Sequence, residues 1–166
     1  MEQIAFFVLA LLVVASALTT ITHKNPVTCA VALAFNLVAI AGLYMLLDAQ
    51  FLGLLQVIVY AGAIMVLILF VIMLLNLRAE EELSHPSGRV QRVIAPVASL
   101  IFSIVIGRAV FAAAPSSFPE KAPGFGTAAA LGNELFTRFY YPFEAISLLL
   151  IVAMVGAVLL AKRKVE

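Results

Sequence analysis

What constrains this chain most is a succession of long stretches almost free of charge. Residues 4–21, 26–47 and 51–77 contain no Asp, Glu, Lys or Arg, while 93–114 holds only Arg108 and 142–161 only Glu144. A helix needs about 20 apolar residues to cross the hydrocarbon of a bilayer, and each stretch is close to that length. Composition closes off the soluble alternative. The chain is 64% apolar and 11% charged, against roughly 45–50% and about 25% in soluble domains, so it lacks the polar residues to cover a water-facing surface. The expectation is an all-α membrane protein: one integral membrane domain over residues 1–166, with five transmembrane helices at about 4–21, 26–47, 51–77, 93–114 and 142–161.

The connections sharpen this. The Met-Glu-Gln start has no basic region of the signal-peptide kind, so the first span reads as a retained helix. Asn25-Pro26 is a helix start, with Asn as N-cap and Pro in the first turn. Asp48-Ala49-Gln50 is a tight break, with Asp48 placed to cap the third span. A straight α-helix over 51–77 would be about 40 Å long in hydrocarbon about 30 Å thick, so this span must tilt, protrude or be irregular. Residues 78–89 form a polar loop. Span four carries Pro96 in its first turn, where proline is tolerated. The loop 115–141 includes a short interfacial helix over 127–139 and a Tyr140-Tyr141 anchor. With five spans, Lys24, Arg78, Arg89, Arg92, Lys162, Arg163 and Lys164 fall on one face, and Arg108, Lys121 and Arg138 on the other. The positive-inside rule makes the N-terminus periplasmic and the C-terminus cytoplasmic.

Little here carries chemistry of its own. The net charge of +1 gives no pull toward nucleic acid. The single cysteine, Cys29, excludes an internal disulfide and a multi-cysteine metal or iron–sulfur site. No phosphate-cradling, dinucleotide, metalloprotease or nucleophile-elbow motif is present. Catalytic residues, bound cofactors and metal ligands are therefore expected to be absent from this chain. Asn36, in the middle of span two, reads as glue between helices. Glu144, two residues after Pro142, reads either as a carboxylate opposing the positive end of the last helix or as a contact to a neighbour or water. In span three, Gln56 and Tyr60 share a face, and Ala61-Gly62-Ala63 follows near the membrane centre. That cluster fits close helix packing, or a place where the helix changes its winding through a π-bulge.

The stretch Gln56-Val-Ile-Val-Tyr-Ala-Gly-Ala-Ile-Met-Val-Leu-Ile-Leu-Phe-Val-Ile-Met-Leu-Leu-Asn76 resembles the third helix of the subunit J (chain 6) family of NADH-quinone oxidoreductase. Thr22-His-Lys-Asn-Pro26 resembles the family's first loop, and Leu131-Gly132 through Leu135-Phe136 with Tyr141-Pro-Phe-Glu144 its lead into the last helix. The resemblance covers nearly the whole chain. It implies a membrane-arm subunit of respiratory complex I in the bacterial inner membrane, with a structural and gating part in coupling quinone reduction to proton translocation. It implies no redox centre in this chain, although the whole complex uses NADH, FMN, iron–sulfur clusters and quinone. Implied partners are subunits A, H and K, an antiporter-like subunit and the lipid bilayer. A third helix that switches between α and π-bulged forms is implied at Tyr60, Ala61, Gly62 and Ala63. Some members carry glutamate where this chain has Gln56. An amide cannot relay a proton by titration, but it can order water. Two rivals stand beside this reading: a domain of a multi-subunit cation/proton antiporter, and a small free-standing transporter.

Overall fold

The computed structural model of the chain describes residues 1–75, 89–113 and 124–162, with side chains described from residue 94 onward in the second of these. Five helices are long and apolar enough to cross a membrane: α1 (Glu2–Thr22), α2 (Pro26–Leu46), a third span (Gln50–Leu74), α5 (Arg89–Ala113, its apolar part Ile94–Ala113) and α7 (Tyr140–Ala161). The third span is composite. It comprises α3 (Gln50–Leu55), a π-helix (Gln56–Ile64) and α4 (Met65–Leu74). A short helix, α6 (Ala128–Thr137), precedes α7.

Local chemistry accounts for most of these boundaries. The Asn25 side chain accepts from the backbone N–H groups of Val27 (2.9 Å) and Thr28 (3.4 Å), so two of the orphan donors of α2 are satisfied where Pro26 begins the helix. Thr127 does the same for α6, accepting from Ala130 N–H at 3.3 Å. Inside α1, the hydroxyls of Ser16, Thr19, Thr20 and Thr22 each donate to the carbonyl one turn back, at 2.7–2.9 Å. In hydrocarbon, a polar group that finds its partner within its own helix imposes no demand on its surroundings.

Three boundaries differ from the sequence expectation. The N-cap of the third span is Ala49, and Asp48, one residue earlier, takes φ 62° in the tight break, a left-handed conformation that Asp tolerates better than most side chains. The last helical residue is Leu74, with Leu75 as C-cap, while residues 76–77 of the expected end lie outside the described residues. The helix α5 begins at Arg89, not at about 93, so Pro96 lies in its interior and leaves the Arg92 carbonyl without its intrahelical donor. The loops expected at 78–88 and 115–123, and Arg163 and Lys164, fall outside the described residues.

Packing centres on α2, which lies between α1 and the third span. Its contact faces are made of small residues: Ala30, Ala39 and Ala41 are buried, and a Cβ on Gly42 would stand 3.1 Å from Leu9 Cδ1. Lipid chains are as apolar as leucine, so close backbone approach and polar pairing hold such helices together. Asn36 supplies the polar pairing. Its side-chain amide donates to the Val13 carbonyl (2.7 Å) and to Ser16 Oγ (2.9 Å), while Ser16 passes its own proton to the Leu12 carbonyl (2.7 Å). Both residues are buried, as the reading of Asn36 as interhelical glue requires. We expect Asn36→Ala to lower the stability of the purified complex by about 0.6–2 kcal/mol, read as the midpoint of denaturant unfolding in detergent. Val38→Leu, on an exposed position of the same helix, should leave that midpoint in place.

Candidate functional site: a π-wound segment in the third span

The third span departs from α geometry at its centre. Over Gln56–Ile64 the backbone is wound as a π-helix, and the ladder returns to α at Met65, whose N–H still bonds to the Tyr60 carbonyl five residues back. Nine residues of π-helix is long for a form seen mostly as single-turn bulges. The winding keeps the N–H groups of the segment bonded along the ladder and passes over one carbonyl where π returns to α after Met65, whose N–H goes to Tyr60. The sequence helps in a local way. Gly62 lowers α-helix propensity by about 1 kcal/mol relative to alanine, and a Cβ placed on it would stand 3.2 Å from the Val57 carbonyl. That oxygen lies one π turn earlier, and a side chain here would crowd it by a few tenths of an ångström.

Tyr60, Ala61, Gly62 and Ala63, the residues singled out by the family resemblance, all lie inside this segment. Gln56 opens it. Tyr60 is exposed and Gln56 half-buried, and neither side chain makes a hydrogen bond within the described residues, so the amide and the phenol are free for water or a neighbouring subunit. The segment lies against α2, and Met65, immediately after it, is the most deeply buried large side chain. Glu144 is elsewhere, on α7. Among the described residues no group of three or more His, Cys, Asp or Glu is arranged to hold a metal ion.

The start of the span is held by a contact that sequence reasoning did not anticipate. The Phe51 N–H, one of the free donors at the helix N-terminus, bonds to the Gly126 carbonyl at 2.9 Å. Gly126 has φ +77°, and a Cβ there would fall on the Asp48 carbonyl. The turn that delivers it is closed by Thr127, whose N–H and hydroxyl both donate to the Gly124 carbonyl, at 3.1 and 2.7 Å. This contact ties α6 and the approach to α7 to the head of the third span. It also puts the break at 47–49 and the turn at 124–127 on one side of the membrane, as alternation of five spans demands. A glycine pair around Phe125 was the only signal in the sequence, and it reads as an ordinary loop.

A polytopic helical membrane protein with one irregular, π-wound span is the class that fold and site define. The family is then fixed by comparison. A profile of NADH-ubiquinone/plastoquinone oxidoreductase chain 6 matches residues 16–160, and the chain belongs to that family, the membrane-arm subunits of NADH-quinone oxidoreductase. It is 37% identical over 157 residues to NADH-quinone oxidoreductase subunit J of Escherichia coli, covering 93% of this chain and 84% of that protein. It is 34% identical over 163 residues to NAD(P)H-quinone oxidoreductase chain 6 of a Nostoc species (98% and 80%). It is 36% identical over 165 residues to F(420)H(2) dehydrogenase subunit J of Methanosarcina mazei (98% and 92%). All three are subunits of dehydrogenases or quinone oxidoreductases, which sets aside the antiporter and free-standing transporter alternatives.

The Gly126 contact is testable. Gly126→Ala places a side chain at a left-handed φ and against the Asp48 carbonyl, which should cost about 1–3 kcal/mol. It should raise amide hydrogen exchange across residues 49–53 in the assembled complex. Gly132→Ala, where a Cβ meets nothing within 4 Å, should not. Equal exchange in the two variants would mean that the contact does not hold the span.

Proposed function

We propose that this chain is a non-catalytic gating subunit of the proton-translocating complex, and that the third span is its moving part. The observation that carries this reading is the π winding of Gln56–Ile64 in mid-membrane. A span with an i→i+5 ladder has an alternative ladder available, i→i+4, which bonds the carbonyl that the π winding passes over. Passing between the two shifts one residue of register, which turns one end of the span against the other by about 100° and moves it about 1.5 Å. With the head of the span held at Gly126, such a change re-aims Tyr60 and the side chains beside it. In the family this helix is linked to a water path between the quinone region and the antiporter-like subunits. Gln56, unpaired within the described residues, orders water on that path by hydrogen bonding without titrating. The electron-carrying groups of the complex (flavin, iron–sulfur clusters and quinone) belong to other subunits. Subunits A, H and K and an antiporter-like subunit are the neighbours the family implies, in the bacterial inner membrane, with the N-terminus periplasmic.

Gly62→Ala tests the gate. It adds about 1 kcal/mol of α propensity and presses a methyl group on the Val57 carbonyl, both against π winding. Assembly and electron input to an artificial acceptor such as ferricyanide should be unchanged, while quinone-coupled proton pumping in membrane vesicles falls severalfold. Normal pumping in an assembled variant would remove the case for a switch. The orientation has its own test. A tag after Glu166 should be accessible from the cytoplasm only, and periplasmic labelling would overturn the assigned topology.

A further inference from the structure

The last span begins earlier than its sequence suggests, and that changes the meaning of Glu144. From sequence, the helix starts at about Pro142 and Glu144 belongs to its first turn, where a carboxylate opposes the positive end of the helix dipole. In the structure α7 starts at Tyr140 with Phe139 as N-cap, and its first turn contains no acidic residue. Glu144 is the fifth helical residue, about 6 Å along the axis from Tyr140. The dipole effect has fallen off by then. Its carboxylate is thus left on the outside of a spanning helix without the first of the two readings the sequence offered, and the contact to a neighbour or water remains.

No described residue supplies that contact. Glu144 is exposed, and its side chain makes no hydrogen bond or ion pair within the described residues. One turn along its helix, the Ser147 hydroxyl donates to the Glu144 backbone carbonyl at 2.6 Å. The nearest described cation in sequence, Arg138, holds its guanidinium 5.7 Å over the Phe139 ring. Phe143, the preceding residue, packs edge-on against Phe136 of α6, with ring centroids 4.9 Å apart. Successive helical residues diverge by about 100°, so Glu144 is directed away from α6. A stripe of exposed residues continues below it: Leu148, Ile151 and Val155, spaced four, three and four residues apart as one helix face requires. Among the described residues, none on α7 is buried.

Ionisable residues in membrane spans almost always face protein or water and are paired. A carboxylate is acceptor-only when ionised, so what meets it must donate. We propose that the Glu144–Leu148–Ile151–Val155 face of α7 is an interface with a span of another subunit, and that this partner presents a cationic or multiply donating side chain to Glu144. The partner is apolar below that level, where it meets the leucine, isoleucine and valine. This rests on the chain's membership of a multi-subunit membrane complex and is independent of the gating role of the third span.

The two readings of Glu144 predict opposite signs for one substitution. Facing lipid, Glu144→Leu removes an unfavourable charge, and the complex assembles as well as before or better. Facing a donor, it strands a partner cation. The yield of intact complex extracted from membranes should then fall at least about tenfold, with a smaller loss for Glu144→Gln, which keeps one acceptor oxygen. The amount of this chain in the membrane is measured alongside. A second variant keeps Glu144 and carries a photo-reactive amino acid at Leu148 of the assembled complex. Irradiation should join this chain to another subunit. Full assembly of Glu144→Leu overturns the proposal, as does a photo-adduct with lipid alone or with α5 of the same chain, which bears Arg108.

Discussion

A peptide group in hydrocarbon has no water to turn to. Every N–H and C=O that enters the membrane must find its partner inside the protein, at a cost of several kcal/mol for each failure. The rest of this structure depends on that constraint. It makes the spans helical, it returns the hydroxyls of α1 to their own backbone, and it limits the ways in which a span can be irregular. A break in the middle of the third span would leave carbonyls exposed. A change of ladder frees far less, because each N–H merely bonds five residues back where it had bonded four, and one carbonyl is passed over where the ladder returns to α. The π segment is the form of irregularity that the solvent allows, and glycine at position 62 supplies the room beside the Val57 carbonyl.

The same constraint governs how the helices meet. With no hydrophobic drive between spans, α1 and α2 approach through alanine and glycine, and Asn36 closes the pair by donating to a backbone carbonyl and to Ser16. Arrangements of this kind bury polar atoms only when they are bonded, and no described buried side-chain oxygen or nitrogen is left without a partner. The third span is held differently, by a backbone bond from Phe51 to Gly126 across two loops. Its head is fixed through main-chain atoms, while its centre is exposed on the face away from α2. A span anchored at one end and open at the middle is suited to changing its winding there.

The spans themselves were legible because their signal is carried by every residue in turn. Asn25-Pro26, the small helix after Thr127 and the pairing role of Asn36 were legible as well, each following from a local rule about donors and acceptors. The excess length of the third span pointed to irregularity without saying which kind, because a stretch apolar on every side shows no period that would tell π from α winding. What escaped the sequence depends on distant parts of the chain meeting. Gly126 looks like loop glycine until the Asp48 carbonyl is seen where its side chain would be. Helix starts were misjudged at proline: Pro96 reads as a first-turn residue and Pro142 as the start of its span, whereas α5 begins seven residues and α7 two residues before them. The error at Pro142 is small in residues and large in consequence, because it moves Glu144 out of reach of the helix end.

The central claim is that the third span has two ladders and uses both. Density maps of the intact complex, sorted into particles at rest and particles turning over with donor and quinone, test it most directly. The distinguishing bond is that of the Met65 N–H, which reaches the Tyr60 carbonyl in π winding and the Ala61 carbonyl in α winding. The account predicts that the two populations differ at this bond, with the orientation of the Tyr60 ring changing alongside. A single winding of Gln56–Ile64 in every population of an active complex would contradict it.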